Sequence, residues 1–333
     1  PHPGQSLLGH NGGSIVLEKV QIKSQRRRNL QEHAAEVLQT PIAGPRSLGT
    51  LFATGGRETV IRGERASREM NRRAGSCSWA GGSRARHDGA SIPPWILLDE
   101  VDSTNAYASR RAAELPHGTF VMADAQTAGR GRLDRRWHSP SGGNVYMSVV
   151  VKVFPPVPTA ALPGVLTLTM ALAASDVIRR EGIVATLKWP NDVLVEGRKI
   201  AGILAQATYE GHRVTAAIVG VGINVNMTAG ELAEVDRPAT SLAVCVGRSL
   251  DATAIAREVA ARFLDRLATT QLDALRREVL AKMAGIGDPI RVEGSQGTLF
   301  GTAVDLADDL RLQVRDDRGC MHRVSDGDVC AMG

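Results

Sequence analysis

The sequence lacks a run of 18 or more apolar residues, and it lacks a charged amino-terminal segment followed by an apolar stretch and a small-residue cleavage site. The first absence argues against a simple membrane-spanning helix, and the second argues against export. The four cysteines form neither a C-x-x-C pair nor a zinc-type spacing with histidine, so we expect reduced thiols that bind no metal. We predict a cytoplasmic protein without membrane association.

An excess of positive charge is missing from most of the chain, although the formal net charge is +5. Residues 1–94 hold 14 Lys/Arg and 7 Asp/Glu, whereas residues 95–333 hold 26 and 28. The first segment is rich in Gly, Arg and Ser and cannot bury enough apolar surface to offset its ordering entropy. We predict a basic, mostly disordered extension over residues 1–94, and its place in the mature protein stays open. Contact of its arginines with nucleic acid or a membrane surface is the less favoured alternative.

Residues 95–285 show the strand and helix patterns of one α+β domain. Short turn segments such as Pro190-Asn191 and Glu196-Gly197-Arg198 predict a mixed, largely antiparallel sheet with flanking helices. Strands are predicted at 96–101, 119–123, 144–153, 186–189, 192–195, 200–208 and 214–221. Helices are predicted from a cap at Asp102 or Ser103 to Ala112, at 162–180 and, as one long helix, at 252–284.

Residues 286–333 are predicted to form a second, smaller unit. The segment Gly285-Ile286-Gly287-Asp288 marks the boundary, because two glycines within four residues end the preceding helix. Four or five short strands separated by Gly or Asp-Asp turns follow between residues 289 and 329. This spacing is typical of a small β-barrel.

A cationic, glycine-rich loop at residues 126–137, QTAGRGRLDRRW, separates two of the predicted strands. Four arginines fall within seven residues, and two glycines alternate with them. Glycine lets the backbone approach a ligand closely, and the arginine fork fits two oxygens of a carboxylate or phosphate. We predict that the loop closes over an anion such as a nucleotide phosphate, although an arginine run is also common on solvated surfaces.

Four separated stretches together resemble the biotin protein ligases, which attach biotin to a lysine of carboxylase carrier domains. The stretches are DSTN at 102–105, the loop at 126–137, KWPND at 188–192 with KIAGIL at 199–204, and GVGIN at 220–224. Their order is more specific than any one of them. The resemblance covers about residues 95–333 and implies a catalytic domain like that of class II aminoacyl-tRNA synthetases with an SH3-like carboxy-terminal barrel. Residues 1–94 lie outside it and show no winged helix-turn-helix pattern, so no specific DNA binding is expected.

The resemblance implies an enzyme that uses ATP, Mg²⁺ and biotin. A carboxylic acid is inert toward an amine at neutral pH, so biotin is first converted to biotinyl-5′-adenylate with release of pyrophosphate. The activated acid then passes to a lysine of a biotin carboxyl carrier domain. The protein has to neutralise charge and hold the reactants in line. Family members often pair through the central sheet, so a homodimer is a further expectation.

Three residues match catalytic positions of the family. Lys199 matches the lysine that meets the biotin carboxylate and the transferring phosphate, Lys188 matches a second lysine close by, and Arg130 lies in the adenylate-covering loop. An ammonium group suits a developing phosphoryl anion. An exposed turn lysine is the simpler structural explanation for Lys188 and Lys199.

The resemblance also assigns ligand-binding residues. A neutral ureido ring needs neutral hydrogen-bond partners, glycines leave room for the biotin bicycle and tail, and a tryptophan stacks on adenine. Simpler explanations are a helix N-cap, turn glycines and a core tryptophan. The biotin set is Ser103, Thr104, Asn105, Gln126, Arg130, Gly131, Arg132, Lys199, Gly202 and Gly220, and the ATP or adenylate set is Arg132, Arg135, Trp137, Asn191 and Asn224.

Two aspartates also lie within the matching stretches. Asp192 is a candidate to position Mg²⁺ or Lys199, but one carboxylate is not a metal site by itself. Asp134 stands where many family members have a third glycine. We expect a stiffer and less positive loop, which affects the kinetics of closure and not the identity of the protein.

Three other functions are alternatives to a biotin ligase activity. A lipoyl or octanoyl ligase or transferase belongs to the same fold family, but its substrate has no ureido ring to match the neutral residues. A nucleic-acid-binding regulator would need a folded helix-turn-helix within residues 1–94. A biotin-binding module without catalysis would lack Lys188, Lys199 and the arginine pair.

Overall fold

The computed structural model describes residues 58–61, 93–210, 213–294 and 297–332. The strands of its larger sheet are β1 (Glu58–Ile61), β2 (Trp95–Val101), β3 (Phe120–Gln126), β4 (Val145–Val151), β5 (Thr186–Lys188), β6 (Asp192–Val195), β7 (Arg198–Glu210) and β8 (Arg213–Ile223). The α-helices are α1 (Thr104–Arg110), α2 (Leu162–Arg180), α3 (Ala229–Ala233), α4 (Leu242–Val246), α5 (Ala252–Thr269) and α6 (Leu272–Lys282).

The eight strands lie in the order β1-β2-β3-β4-β8-β7-β6-β5. All neighbours are antiparallel except β2 and β3, which are parallel and are therefore joined by a crossover through α1. The predicted mixed, largely antiparallel α+β sheet is confirmed. Each strand predicted between residues 96 and 221 is present, with ends that differ by a few residues.

One face of the sheet packs against α2 and α5. Side chains alternate along β7 and β8, so Ala201, Ile203, Val219 and Val221 enter the main core with these helices. With its preceding turn, α2 is long and apolar enough to cross a membrane by length and composition, but 78% of its most apolar window is buried. The helix is thus the central core element of this domain.

The opposite face is only partly covered. A smaller apolar cluster, which includes Ala108 of α1 and Ile218 of β8, fills one end of it. Further along β7 and β8 the positions on this face are Gly202, Gly220 and Gly222, which carry no side chain. The alternation of glycine with apolar residues therefore leaves a depression in the sheet beside α1.

The prediction of one long helix over residues 252–284 is wrong, because α5 ends at Thr269 and α6 begins at Leu272. The hydroxyl of Thr270 donates to the carbonyl oxygen of Arg266 at the break, a local bond that competes with helix continuation. The Arg266 guanidinium then pairs with Glu278 of α6 and with Asp176 of α2. The break lets both helices face α2.

The smaller sheet contains β9 (Pro289–Gly294), β10 (Gly297–Leu306), β11 (Leu312–Arg315), β12 (Met321–Val324) and β13 (Asp328–Ala331). Its order is β12-β11-β10-β9-β13, and all pairs are antiparallel. Leu306 and Leu312 join the main core, and the Trp189 indole donates to the Leu310 carbonyl oxygen at 3.1 Å. The five strands are consistent with the predicted small barrel, and its SH3-like form stays a prediction.

Strand β1 falls inside the segment predicted to be an extension. It pairs antiparallel with β2, from Glu58 opposite Leu98 to Ile61 opposite Trp95. Sequence analysis did not anticipate it, because four residues are too few for a clear alternating pattern. The rest of the predicted disorder, at residues 1–57 and 62–92, lies outside the described residues, and the predicted domain limits stay predictions.

Candidate functional site

A cavity of about 480 Å³ opens over the glycines of β7 and β8. Its lining includes every ligand-binding residue predicted above, drawn from α1, the cationic loop, β6, β7, β8 and their connections. Lys188 does not line it: this half-buried residue lies in β5, opposite Asp192 of β6. A catalytic role for Lys188 therefore stays a prediction without support from its position.

The inner end of the cavity is neutral and polar. Ser103 is the N-cap of α1, and its hydroxyl accepts from the Ala106 amide. The Thr104 amide donates to Gln126 Oε1 at 2.8 Å, and the amide group of Gln126 donates to Ser139 Oγ at 2.8 Å. The N-cap explanation is thus correct for Ser103, and it leaves the neighbouring polar groups at the cavity wall.

Asn105 is fixed by contacts on both sides of its amide. Its nitrogen donates to the Leu204 carbonyl oxygen at 3.1 Å and to Gln206 Oε1 at 3.2 Å. Ser148 Oγ lies 2.6 Å from Asn105 Oδ1 and 2.7 Å from Thr104 Oγ1. Ser148 is fully buried in β4, so it orients both residues from behind. Its sequence signal is a lone serine in the apolar run VYMSVVV.

The cationic loop is shaped by a tight turn at Leu133 and Asp134. Both residues have positive φ, 54° and 56°, a conformation that glycine adopts without steric cost and other residues rarely adopt. The Gly131 amide donates to the Arg135 carbonyl oxygen at 2.7 Å and closes the turn. The expectation that Asp134 affects the loop gains a physical basis, because the position favours the glycine it replaces.

Two loop arginines reach across to the opposite wall. Arg132 Nη1 donates to Asn191 Oδ1 at 3.2 Å and to the Gly327 carbonyl oxygen at 3.4 Å. Arg135 Nη2 pairs with Asp328 Oδ2 at 3.1 Å. Burial lowers the pKa of Arg132, which remains charged because a free guanidinium titrates far above neutral pH. The smaller sheet thus supplies partners that hold the loop over the cavity.

Lys199 lies on the cavity floor beside Asp192. Its Nζ is 2.6 Å from Asp192 Oδ1, out of line for a hydrogen bond, and 5.1 Å from the centre of the Trp137 ring. The Lys199 amide donates to the Pro238 carbonyl oxygen, and the Thr240 amide donates to the Lys199 carbonyl oxygen, both at 2.9 Å. The start of β7 is therefore fixed by the chain on either side of Ala239.

The Trp137 ring covers two of the floor glycines. A Cβ added at Gly202 would lie 2.8 Å from the ring, and one at Gly222 would lie 2.4 Å from it. The indole nitrogen is buried without a hydrogen-bond partner among the described residues. At Gly220, in contrast, an added Cβ would lie 1.9 Å from Asn105 Oδ1. The floor glycines thus leave room for the Trp137 and Asn105 side chains that shape the cavity.

This arrangement predicts that two substitutions on one strand weaken the binding of different ligands. Gly220→Ala must displace Asn105, so the KM for the ligand of the neutral end should rise about tenfold, as expected when one good hydrogen bond is lost. Gly222→Ala must displace Trp137, so the KM for the ligand of the cationic end should rise instead. Steady-state kinetics with each substrate varied would measure both, and Gly230→Ala in α3, where an added Cβ meets nothing closer than 3.9 Å, is the matched control. Equal rises of both constants in both variants would contradict this division.

The cavity carries an excess of positive charge. Six cationic and three anionic side chains line it, namely Arg130, Arg132, Arg135, Arg136, Lys199 and Arg237 against Asp192, Asp236 and Asp328. No group of three or more His, Cys, Asp or Glu residues that could hold a metal ion is found within the described part of the chain. The excess of positive charge suits a polyanionic ligand. Asp192 alone does not make a metal site.

Sequence reasoning assigned no role to Arg237 and Asp328, which both line the cavity. Arg237 precedes the segment that pairs with Lys199, and Asp328 begins β13. Neither lies in a glycine-rich or motif-like stretch. The two residues are 91 positions apart in sequence, and the ion pair between their side chains is visible only in the structure.

A neutral polar pocket that continues into a cationic one suits a small organic acid bound next to a phosphate group. Comparison with known proteins agrees with this interpretation. A family model described as the biotin/lipoate A/B protein ligase family matches residues 97–224. The chain belongs to this family.

Individual relatives extend the match beyond that segment. The chain is 33% identical over 229 residues to the bifunctional ligase/repressor BirA of Bacillus subtilis, covering 67% of this chain and 70% of the relative. It is 38% identical over 250 residues to the biotin–acetyl-CoA-carboxylase ligase of Mycobacterium tuberculosis, covering 71% and 89%. The biotin protein ligase of Aquifex aeolicus, solved with biotin and ATP, matches at 27% identity and a TM-score of 0.59 over 72% of this chain and 98% of that one.

Proposed function

We propose that this protein is a biotin protein ligase that activates biotin with ATP as biotinyl-5′-adenylate and transfers it to a lysine of a biotin carboxyl carrier domain. One observation carries the proposal: the neutral residues around Asn105 and the cationic residues around Lys199 line a single cavity. A ligand with a neutral polar ring at one end and an acid at the other fits this polarity. Relatives named as biotin ligases support the same activity.

In the first step, a carboxylate oxygen of biotin attacks the α-phosphorus of ATP, the new C–O–P bond forms, and the bond to pyrophosphate breaks. Negative charge grows on the phosphoryl oxygens and on the leaving group. Lys199, fixed beside Asp192, is the residue that faces this charge, and Arg130 and Arg132 border the same space. Fixed positive groups stabilise such a transition state because they need no reorganisation as the charge develops.

In the second step, the neutral amine of the acceptor lysine attacks the carbonyl carbon, the amide forms, and AMP leaves. The mixed anhydride is also open to attack by water. The loop at 126–137, held to the opposite wall by Arg132 and Arg135, excludes water from it. Covering loops protect reactive intermediates in this way.

Mg²⁺ is proposed to enter bound to the phosphates of ATP. Asp192 already pairs with Lys199 and Asp328 with two arginines, so the described residues form no protein cage for the ion. Mg²⁺ typically binds through one or two carboxylates and substrate phosphates. The ion would therefore arrive with the nucleotide and add its charge to that of Lys199 and the loop arginines.

A lipoyl or octanoyl ligase or transferase is the second candidate, because the family model covers lipoate as well as biotin proteins. Lipoate has an apolar dithiolane ring, and octanoate an apolar chain end, where biotin has its ureido ring. The amides of Asn105 and Gln126 and the hydroxyls of Ser103 and Thr104 already have partners within the protein, and their remaining hydrogen-bonding capacity matches a ureido group better than an apolar one. Biotin is therefore the better substrate.

The direct test is mass spectrometry of a carrier domain incubated with this protein, biotin and MgATP. One added biotinyl group on one lysine is expected. Octanoate or lipoate in place of biotin is the control for the second candidate. An unmodified carrier domain with biotin, or efficient transfer of octanoate, would contradict the proposal.

Residues 1–90 are expected to be dispensable for catalysis, because none of the sequence motifs that match the family lies within them. A chain that begins at Ser91 lacks β1, which has four residues at the edge of the sheet, and should keep its biotinylation rate within about twofold. Transfer to the carrier domain and circular dichroism would be measured together. A folded but inactive shortened protein would contradict this expectation.

The remaining elements of the proposal concern architecture and context. The catalytic domain is proposed to span residues 95–285 in the manner of class II aminoacyl-tRNA synthetases, and residues 286–333 to form an SH3-like barrel. Two chains are proposed to pair through the larger sheet. The protein is proposed to act in the cytoplasm, where ATP is supplied, without specific DNA binding and without a membrane partner. Sedimentation with and without biotinyl-adenylate would test the pairing.

A further inference from the structure

A three-residue ion cluster closes the cationic end of the cavity. Arg237 Nη2 lies 2.7 Å from Asp328 Oδ2, and its Nη1 donates to Asp328 Oδ1 at 3.2 Å. Arg135 Nη2 donates to the same Oδ2 at 3.1 Å. Two guanidinium groups on separate segments are thus directed at one anionic oxygen, an arrangement that suits a phosphate oxygen equally well.

The position of Arg237 is set by the same backbone contacts that fix Lys199. The Lys199 amide donates to the carbonyl oxygen of Pro238, the residue after Arg237, and Ala239 pairs with Lys199 as an isolated bridge. The main chain of Arg237 therefore lies beside the catalytic lysine. Its side chain is 43% exposed, so it lies at the mouth of the cavity.

Asp328 is the single acidic partner of both arginines in this cluster. Its side chain is 10% exposed, and although burial opposes ionisation, the hydrogen bonds from Arg237 and Arg135 hold its pKa well below the usual range. One carboxylate balances two guanidinium groups, which leaves one positive charge unbalanced. An anion with more charge and more oxygens would pair with both arginines more completely than Asp328 does.

We propose that Arg237 is a binding residue for the β- and γ-phosphates of ATP, and that Asp328 holds Arg237 and Arg135 as a substitute anion until the nucleotide enters. The inference rests on the proposed function and names a residue of that site. Biotin occupies the closed neutral end and the α-phosphate lies by Lys199, so the outer phosphates extend toward the mouth where Arg237 lies. On binding, they replace the Asp328 carboxylate as partners of both arginines.

The test is biotin-dependent exchange of labelled pyrophosphate into ATP, with KM measured for ATP, pyrophosphate and biotin. Arg237→Gln should raise the KM for ATP and for pyrophosphate at least tenfold, as expected for loss of hydrogen bonds from a charged donor. The KM for biotin and the thermal midpoint should not change. Arg248→Gln is the matched control, because that exposed arginine pairs with Glu181 away from the cavity.

Asp328→Asn tests the substitute-anion part by direct titration of the ligand-free protein with pyrophosphate. The amide keeps the size of the side chain and removes its charge, so pyrophosphate should bind several-fold tighter, and the gain should vanish when Arg237→Gln is added. Weaker binding in Asp328→Asn would overturn this part. An unchanged pyrophosphate KM in Arg237→Gln, or equal losses for biotin and pyrophosphate, would overturn the role of Arg237. Absence of exchange in the unaltered protein would instead refute the proposed function.

Discussion

Replacing Lys199 with alanine is expected to slow biotin-dependent pyrophosphate release about 100-fold, the loss typical of one well-placed group that stabilises a developing anion. Lys199 is held by backbone hydrogen bonds on both of its sides, and its Nζ contacts Asp192 at 2.6 Å. The charge is therefore already in place before the reaction. Stopped reactions that count released pyrophosphate would give the rate.

The same variant should recover much of its activity when preformed biotinyl-adenylate is supplied. Aminolysis of the anhydride depends on the placement of the acceptor lysine more than on a cation at the phosphate. Transfer to the carrier domain would be measured with the adenylate in place of biotin and ATP. Lys188→Ala is the comparison variant, because Lys188 lies in β5 outside the cavity lining, and a first step at the rate of the unaltered protein would argue against its predicted catalytic role.

Equal losses of Lys199→Ala in both assays would mean that Lys199 shapes the whole pocket. No loss in either, together with a slow first step in Lys188→Ala, would transfer the catalytic role to Lys188. Loss confined to the first step is the outcome that supports electrostatic stabilisation of phosphoryl transfer.

Three of the six cationic residues that line the cavity pair with a carboxylate. Lys199 pairs with Asp192, and Arg135 and Arg237 pair with Asp328. Each carboxylate limits the repulsion among positive groups that are brought together to bind a polyanion. The cavity therefore keeps an excess of positive charge, with less repulsion among its cationic groups than it would have without these carboxylates.

Motif order in the sequence predicted many of the residues that share the cavity, although Lys188 lies outside its lining and Arg237 and Asp328 were not predicted. Asn105, Gln126, Lys199 and Gly220 lie on four segments far apart in sequence, and all of them line it. Local patterns also predicted α2 and the strands, because apolar spacing reflects burial against one core. The break between α5 and α6 was missed, since the amphipathic pattern continues through Thr270 and the break depends on tertiary contacts of Arg266.

Long-range partners left no trace in the sequence. Asp328 and Arg135 are 193 residues apart, and each has the appearance of an ordinary surface residue. Ser148 was predicted only as part of a buried strand, and its support of Asn105 depends on the register of β4 beside β8. Sequence patterns report on local conformation and burial, whereas these contacts depend on how separate segments meet.

Replacing Arg132 with glycine is expected to release biotinyl-adenylate roughly tenfold faster or more, as when a charged hydrogen-bond donor is removed. Arg132 bridges the loop to Asn191 and to the Gly327 carbonyl oxygen across the cavity. Without this bridge, one described hydrogen bond still joins the loop to the smaller sheet, namely that of Arg135 with Asp328. Escaped adenylate reacts with any amine, so lysines of unrelated proteins should become biotinylated.

The measurement is biotin blotting of an unrelated protein mixed with the carrier domain, alongside the rate of adenylate loss from the isolated protein. Arg136→Gly is the matched control, because it removes a charge from the same loop, and within the described part of the chain its guanidinium has no hydrogen bond other than that to the nearby Thr127 carbonyl oxygen. Indiscriminate labelling should be strong in Arg132→Gly and weak in Arg136→Gly. If Arg132→Gly labelled only the carrier lysine at the rate of the unaltered protein, the bridge across the cavity would have no part in retaining the intermediate. Equal leakage from both variants would assign retention to the total charge of the loop.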